Sequence, residues 1–295
     1  MSSPNWELLR IQGEHAVALR RVSLRQVRDL WDFELRVFSQ WGEDGILTYL
    51  CDQLEIAKPR ILEFGAGDFT ECNSRFLAES RNASVYAVDA RPEILSALHN
   101  VELRWRNSVW MIRDYVTPVT APSLFQDAEN RMGQVDILSI DLDGNDYWVL
   151  KSLELNSVKI AVAEYNPVFG HKRPVTIPRS DSFKREEAHY SFLYYGASLP
   201  AMILLFENQG FTFVGTNRAG NNAFFLHSSL ADRCGIPLPS KSCLERYTDW
   251  RVRESRNQVG ELDYLSGDDR RVLIGSLPVV DLDTGRLISV NEATA

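Results

Sequence analysis

The chain has 295 residues, of which 44% are hydrophobic, and 32 basic against 40 acidic residues give a net charge of −8. This length suits one large core or a core domain with extensions. No basic run stands out, which argues against a nucleic-acid partner. No apolar run approaches the roughly 20 residues that cross a bilayer, and no signal core opens the chain. We therefore expect a cytoplasmic protein without a membrane partner.

Three segments of different character divide the chain. Residues 1–38 are charged and mildly amphipathic, which predicts an N-terminal extension of one or two helices. Residues 39–232 alternate between strand and helix patterns and predict the core domain. Residues 233–295 form a charged C-terminal extension that ends in a predicted hairpin over LPVVDLDTGRLISV. The extensions could form a homodimer surface, but the sequence leaves the oligomeric state open.

The predicted core domain begins with alternating elements. Helical patterns occur in GEDGILTYLCDQL, SRFLAES and PEILSALHN. Strand patterns occur in RILEF, SVYAVDA, VELRWRNSV, VDILSI and IAVAE. Strands that alternate with helices predict a parallel sheet with helices on both faces.

A helix and a hairpin complete this pattern. LPAMILLFENQG predicts a helix that ends at Gly210, and FTFVGT and NAFFL predict two strands joined by a turn rich in Gly and Asn. Flavodoxin-like and dinucleotide-binding folds usually lack such a hairpin. The predicted fold class is therefore α/β, a Rossmann-like seven-stranded methyltransferase sheet with helices on both faces.

A glycine turn follows the first predicted strand in EFGAGD. Gly65 and Gly67 permit a sharp turn and a close approach to a ligand. A dinucleotide fingerprint needs a third glycine where this chain has Thr70, and no GxxxxGK[ST] phosphate loop is present. The turn alone is equally consistent with a simple strand-to-helix connection.

Acidic residues gather near the predicted strand ends. Open α/β sheets bind ligands at this carboxyl edge, where Glu63, Asp68, Asp89 and Asp141 should lie. Their charge would repel a pyrophosphate and attract a cation, and S-adenosylmethionine carries both a sulfonium and an ammonium group. Asp89 is predicted to bind the ribose hydroxyls, although it could instead cap the next helix. Asn107, expected after the third strand, is a candidate for the adenine edge.

The ends of the fourth and fifth predicted strands supply a second set of oxygen atoms. Asp141, Glu164 and Asn166 are predicted Mg²⁺ ligands, since hard divalent ions prefer oxygen. Such an ion would lower the pKa of a substrate hydroxyl. Alternatively, these groups bind the cofactor ammonium or a substrate sugar directly. In the turn that follows Asp141, we expect Asp143 or Asn145 to cap the next helix.

Candidate catalytic residues are Asp141 and Glu164, together with a histidine base. His189 is the preferred base and His171 the second, because a histidine accepts a proton near neutral pH. The long polar segment 167–190 is typical of a lid. Three residues beyond it are candidates for the acceptor pocket or for core packing: Tyr194, Tyr195 and Ser198.

EFGAGD, VDA and IDLDGNDYWVL resemble the class I S-adenosylmethionine-dependent methyltransferases, and within them the FkbM-like group. FSQWGEDGIL, EYNPVFG, YYGASL and AGNNAFFL are similar to a bacterial subset, whose genes often lie in clusters for surface glycans or secondary metabolites. The resemblance covers about residues 38–227, and the turn after the fourth strand is more polar than the usual form. The full predicted cofactor-binding set is Gln40, Glu63, Gly65, Gly67, Asp68, Asn73, Asp89, Asn107 and Asp141.

The sequence therefore predicts an S-adenosylmethionine-dependent methyltransferase, acting on a hydroxyl of a sugar or small natural product. Displacement at an activated methyl carbon mainly requires alignment and exclusion of water. An N-methyltransferase and a non-catalytic cofactor-binding scaffold remain alternatives. Thr70 and the acidic edge disfavour an NAD-dependent oxidoreductase. The sequence does not identify the acceptor.

Overall fold

A seven-stranded sheet lies at the centre of the computed structural model, which describes residues 5–23, 27–99, 105 and 107–295. The strand order is β3-β2-β1-β4-β5-β8-β7; β1 to β5 are parallel, and β8 is antiparallel to both its neighbours. This topology confirms the predicted Rossmann-like methyltransferase fold. Its strands are β1 (Arg60–Phe64), β2 (Ser84–Asp89), β3 (Val109–Arg113), β4 (Ile137–Ile140), β5 (Ile160–Glu164), β7 (Phe211–Thr216) and β8 (Asn222–His227).

Helices cover both faces of the sheet. The α-helices are α1 (Trp6–Ser23), α2 (Glu43–Gln53), α3 (Arg75–Arg81), α4 (Ala121–Met132), α5 (Asp146–Lys151), α6 (Arg185–Ala188), α7 (Leu199–Asn208), α8 (Asp268–Ile274) and α9 (Val290–Thr294). Short 3-10 helices span Leu30–Phe33, Pro92–His99, Pro167–Phe169, Ser228–Arg233 and Lys241–Tyr247. Within the described ranges, none of the helices has both the length and the apolarity needed to traverse a bilayer.

The sheet separates two apolar cores. On one face, Phe64 and Ile140 pack in the same core as Leu124 of α4. On the other face, Ile61 and Ile137 share a core with residues of α2 and α3. Because side chains of a strand alternate between faces, every second residue of β1, β2, β4 and β5 points toward α2 and α3.

The third strand begins later than the sequence indicated. The stretch VELRWRNSV was expected to form it, yet β3 is VWMIR, and residues 101–104 and 106 lie outside the described ranges. Val109 pairs with Val85, and Met111 is buried. The more apolar of two adjacent stretches therefore forms the strand, since only that stretch can bury side chains against the helices.

The C-terminal extension forms a second sheet with the segment that follows β5. Strand β6 (Val175–Thr176) pairs with β9 (Pro278–Asp281), which pairs with β10 (Leu287–Ser289). The predicted terminal hairpin is thereby confirmed. Trp250 and Ile274 of the extension share an apolar core with residues of that segment. The extension packs directly on the predicted lid, and the proposed boundary at residue 233 stays a prediction.

A glycine allows the ends of β1 and β4 to meet. Gly65 has φ +88°, and a Cβ atom there would lie 1.6 Å from the carbonyl oxygen of Asp141. The amide of Asp141 in turn donates to the carbonyl of Phe64 at 3.0 Å. Gly65 thus serves both a left-handed backbone conformation and a backbone contact that no side chain could enter.

We expect Gly65→Ala to destabilise the fold far more than Gly210→Ala. Both glycines have similar positive φ values, +88° and +81°, but among the described residues no heavy atom lies within 4 Å of a Cβ at Gly210. Backbone strain alone should lower the free energy of unfolding by about 1 kcal/mol for Gly210→Ala. The added clash should raise the loss to about 3 kcal/mol or more for Gly65→Ala. If urea unfolding showed equal losses of unfolding free energy in the two variants, the close contact of Gly65 with the Asp141 carbonyl would be contradicted.

Candidate functional site

Four carboxyl groups occupy one face of the sheet at its carboxyl edge. Glu63, Asp89 and Glu164 lie at the ends of β1, β2 and β5, and Asp141 directly follows β4. The parallel register and the alternation of side chains place all four toward α2 and α3. The structure therefore brings these predicted residues to a common edge, but their surroundings differ.

Glu63 is fully engaged in holding the start of α3. One of its carboxylate oxygens accepts from the amide of Asn73 at 2.8 Å, and the other accepts from the amide and hydroxyl of Ser74. The side-chain amide of Asn73 donates to the hydroxyl of Ser139 at 3.0 Å. Burial raises the pKa of Glu63. Glu63 and Asn73 thus fix the segment between the glycine turn and α3. Direct contact of either residue with a cofactor stays a prediction.

Asp89 lies beside the glycine turn and is paired with an arginine. Its carboxylate accepts from the amide of Gly67 at 2.8 Å and forms an ion pair with Arg91 at 3.0 Å. The Arg91 side chain is 66% exposed, and its guanidinium donates to both carboxylate oxygens of Asp89. Asp68 accepts hydrogen bonds from the amide and hydroxyl of Thr70 and so closes its own turn. The predicted binding of ribose by Asp89 stays a prediction.

Asn107 is not at the carboxyl edge, and its predicted role at the adenine edge is wrong. It precedes β3, which starts at Val109 and runs parallel to β2, so it lies at the opposite edge of the sheet from Asp89. The misplaced third strand caused the error. Asp114, whose amide donates to the carbonyl of Asp89 at 3.1 Å, occupies the expected position instead.

The segment before α2 packs against the same edge. Gln40 is exposed there, so its predicted contact with a cofactor stays a prediction. One oxygen of Asp44 accepts from three successive backbone amides, those of residues 37–39, at 2.6–2.8 Å. Burial raises the pKa of Asp44 to about 7. This buried carboxyl group therefore fixes the loop that carries Gln40.

Glu43 connects this segment to the strands next to the site. One of its oxygens accepts from the side-chain amides of Asn217 at 2.7 Å and Asn222 at 2.9 Å. Asn222 lies directly opposite Glu164 in the β5–β8 register, so their side chains share a face. The hydrogen-bond network of Glu43 thus forms one wall beside Glu164.

A carboxylate cluster forms the centre of the edge. Asp141, Asp143 and Glu164 each place one oxygen within 4.8 Å of the others. Burial, and then repulsion by Asp143 and Asp146, raises the pKa of Asp141 to about 8. Burial and repulsion by Asp141 raise the pKa of Glu164 as well. Both carboxyl groups therefore bind a proton more tightly than an exposed carboxyl group does.

Glu164 has an oxygen atom that the protein does not satisfy. The residue is 6% exposed, and its Oε2 atom has no hydrogen-bond partner in the described ranges. The hydroxyl of Tyr195, a residue that is 1% exposed, also lacks a partner there. Buried polar atoms are normally paired. Two orphaned atoms beside one cluster indicate a place for a polar or cationic ligand.

Arg185 of α6 is the basic residue that reaches this cluster, and the sequence analysis missed it. Its guanidinium bonds Asp143 at 2.5 Å and the carbonyl of Phe192 at 2.7 Å. It also lies 4.0 Å from the ring centroid of Tyr195. Its position within the predicted lid, 167–190, was the available signal. The charge of the cluster was visible in the sequence, but its partner was not.

Asn166 does not join the cluster, which corrects the predicted ligand set. Its amide nitrogen donates to the carbonyls of Leu193 and Tyr195, both at 2.9 Å, and its oxygen accepts from the amide of Val168 at 3.0 Å. A fully buried amide must satisfy its hydrogen bonds, and nearby backbone groups do so here. Asp143 takes its place in the cluster.

The turn after β4 is held by Asp146 rather than by a capping residue. The Asp146 carboxylate accepts from the amides of Leu142 at 2.8 Å and Gly144 at 3.0 Å. Asn145 occupies the N-cap position of α5 without a capping hydrogen bond and instead donates to Ser180 in the lid. The capping prediction for Asp143 or Asn145 is therefore wrong, because the cluster and the lid engage both side chains.

The remaining candidates lie in and after the lid. The ring of His189 bonds the hydroxyl of Ser191 at 2.7 Å, and burial lowers its pKa. Its role as base stays a prediction. Tyr194 donates to the carbonyl of Pro278, and Ser198 caps α7. Of the three candidate acceptor-pocket residues, Tyr195 therefore lies at the carboxylate cluster, while the other two hold the lid segment and α7.

Comparisons with known proteins found solved structures of low sequence identity. No family model and no curated protein matches this chain. The N-terminal domain of EvdMO1 in the presence of SAH and D-fucose is 14% identical, with a TM-score of 0.41 over 72% of this chain and 94% of that chain. A methyltransferase from Geobacter sulfurreducens is also 14% identical, with a TM-score of 0.38 over 76% and 90%.

A fibrillarin pre-rRNA processing protein from Methanococcus jannaschii is 15% identical, with a TM-score of 0.37 over 63% of this chain and 76% of that chain. Likeness at this level does not identify a function. The chemistry of the site therefore has to follow from the residues at the sheet edge.

The carboxyl pair predicts a pH-dependent stability. The pKa of Asp141 rises to about 8 and that of Glu164 is also raised in the folded state, so above about pH 4 the folded chain holds these protons more tightly than the unfolded chain does. Folding stability from these groups is therefore lost with rising pH, by at most about 1.4 kcal/mol per pH unit for each group.

Glu164→Gln should accordingly flatten the fall in Tm between pH 6 and pH 8.5, as measured by thermal unfolding. Glu154→Gln, at an exposed position, is the matched control and should follow the wild type. An unchanged pH dependence in Glu164→Gln would show that the pair is ionised at neutral pH.

Proposed function

We propose that the chain is an S-adenosylmethionine-dependent methyltransferase that acts on a hydroxyl group of a sugar or small natural product. The supporting observation is the buried Glu164 carboxyl group, with its unpartnered Oε2 atom, beside Asp141 at the carboxyl edge. Buried carboxylates without compensating charge are costly, so a ligand that carries positive charge gains affinity there. S-adenosylmethionine carries two such groups.

The neighbouring residues suit the other parts of this cofactor. The Arg91 guanidinium lies 2.9 Å from where a Cβ of Gly67 would stand, so once Arg91 turns away the backbone at Gly67 becomes accessible and Asp89 can accept hydrogen bonds from two ribose hydroxyls. The carboxylate cluster would repel a pyrophosphate. Arg91 could nevertheless attract a phosphate, so NADP⁺ as well as NAD⁺ belongs in the binding test.

The proposed mechanism assigns the base to Glu164. When bound, the cofactor supplies a methyl group activated by its sulfonium. Glu164 first releases its own proton to solvent, and its ionised Oε2 then accepts the proton of the acceptor hydroxyl while Asp141 remains protonated. Positive charge nearby favours the ionised form of Glu164 and so makes it a base. The hydroxyl of Tyr195 can hydrogen-bond the acceptor, and the lid with Arg185 excludes water.

An amine acceptor is the second candidate. The same carboxylates would attract a protonated amine, and Glu164 could remove its proton before methyl transfer. Turnover assays with neutral and amino-bearing acceptors separate the two reactions. Cofactor binding without any turnover would instead support the scaffold alternative.

We expect calorimetry to show binding of S-adenosylmethionine and S-adenosylhomocysteine, but not of NAD⁺ or NADP⁺. Asp89→Ala should weaken the binding of S-adenosylmethionine and S-adenosylhomocysteine about tenfold, because it removes a charged acceptor of hydrogen bonds from the ribose. Asp232→Ala removes an exposed carboxylate elsewhere and should leave the affinity unchanged. Binding of a nicotinamide dinucleotide, or full affinity in Asp89→Ala, would contradict the assignment.

The carboxylate cluster has an arginine partner as well as the oxygen ligands that a divalent ion prefers. Asp141, Asp143 and Glu164 each place one oxygen within 4.8 Å of the others, and a Mg²⁺ ion takes oxygen ligands at about 2.1 Å. Arg185 already compensates Asp143. We therefore propose that Arg185 supplies the positive charge that the sequence assigned to a metal.

This proposal predicts that millimolar Mg²⁺ leaves the Tm of the wild type unchanged. Arg185→Ala should become sensitive to Mg²⁺, because the cluster then lacks that guanidinium and can draw its oxygens around an ion. Arg179→Ala removes a more exposed arginine of the same lid and serves as control. A rise in the wild-type Tm that Asp143→Asn abolishes would instead establish a metal site.

A further inference from the structure

A second polar recess lies on the far side of the Glu43 network. It forms where the N-terminal 3-10 helix Leu30–Phe33, the β7–β8 turn and the C-terminal extension meet. Its empty space is about 200 Å³ and opens to solvent. Part of that space is open solvent, so an anion would bind there through the side chains that line the recess.

Three arginines line this recess: Arg218, Arg246 and Arg251. Arg246 is held by Asp29 at 2.5 Å and lies 4.5 Å from the ring centroid of Trp31. Arg218 pairs with Glu34 at 3.5 Å. Two of the three guanidiniums are therefore anchored in place.

Arg251 has no such anchor. It is exposed, and no carboxylate of the described residues forms an ion pair with its guanidinium. Its charge nevertheless acts on Glu34. Burial raises the pKa of Glu34, and the positive charges of Arg218 and Arg251 reduce that rise. Asp249 is the carboxylate that lines the recess itself. The nearby carboxylates are those of Asp29, Glu34 and Asp249. Glu34 already pairs with Arg218, and Asp29 already pairs with Arg246.

Trp31 contributes an unused hydrogen-bond donor to the same place. The indole N–H of Trp31, which lines the recess, is buried and has no acceptor in the described ranges. A buried donor without an acceptor is unfavourable unless a ligand or water satisfies it. Arginine forks bind the oxygens of a phosphate in pairs.

The recess is connected to the proposed methyl-transfer site. Asn217 lines it and shares the Glu43 carboxylate with Asn222, the residue opposite Glu164. One hydrogen-bonded network therefore separates an arginine-lined recess from the acidic cluster.

We propose that this recess binds a tetrahedral oxyanion, a phosphate or sulfate group that the acceptor carries. Its use by an acceptor rests on the proposed methyl transfer, whereas the binding of the anion does not. Arg251, with its free guanidinium, turns toward the anion, and Arg218 and Arg246 hold the opposite side. The recess would then orient the acceptor, with its hydroxyl directed to Glu164.

Calorimetric titrations of the full chain with inorganic phosphate, sulfate and glucose 1-phosphate test the proposal at constant ionic strength. We expect binding in the wild type and a loss of about tenfold in affinity for Arg251→Ala, which removes a charged hydrogen-bond donor. Arg233→Ala removes the same charge from outside the recess, where Arg233 pairs with Glu55, and should bind like the wild type. Thermal unfolding verifies that both variants fold.

Tighter binding of glucose 1-phosphate than of inorganic phosphate supports an ester group on the acceptor, and equal binding supports a site for the free ion. No binding of any of the three anions, or equal losses in Arg251→Ala and Arg233→Ala, overturns the proposal. S-adenosylhomocysteine titrated into the same variants should bind unchanged. Its failure to bind the wild type, with anion binding intact, would refute the proposed methyl transfer and leave the recess standing.

Discussion

Compensation of buried negative charge is the constraint on which the site depends. Asp141 and Glu164 lie side by side because β4 and β5 are parallel neighbours whose ends meet at one edge. Their burial raises both pKa values, and positive charge that approaches them favours the ionised forms. An edge built in this way is sensitive to any cation that enters, and an arriving ligand can convert a carboxylic acid into a base.

The lid supplies part of that positive charge. Arg185 reaches the cluster from a segment that is itself held by the C-terminal extension, through the pairing of β6 with β9 and a shared apolar core. The extension therefore does more than lengthen the chain. It supports the backbone that positions Arg185 and Tyr195 over the ends of β4 and β5. The geometry of the site therefore depends on residues of the extension that lie far from β4 and β5 in the sequence.

The carboxyl edge has two sides of opposite character. Carboxyl groups follow β2, β4 and β5, whereas arginines surround the β7–β8 turn. Glu43 stands between them, because one carboxylate oxygen bonds both Asn217 and Asn222. A molecule with a neutral hydroxyl at one end and an anionic group at the other would match this distribution, whereas a uniformly charged one would be repelled at one side.

The sequence by itself determined the sheet, the hairpin, the glycine turn and the gathering of acids at one edge, because hydrophobic period and turn residues act locally. It misplaced β3, where two adjacent stretches both had strand character, and with it Asn107. Only the tertiary structure decided that Asn166 serves backbone groups, that Asp143 replaces it and that Arg185 pairs with Asp143. These outcomes depend on contacts between segments that are distant in the sequence. Neither composition nor spacing shows which donor pairs with a given carboxylate.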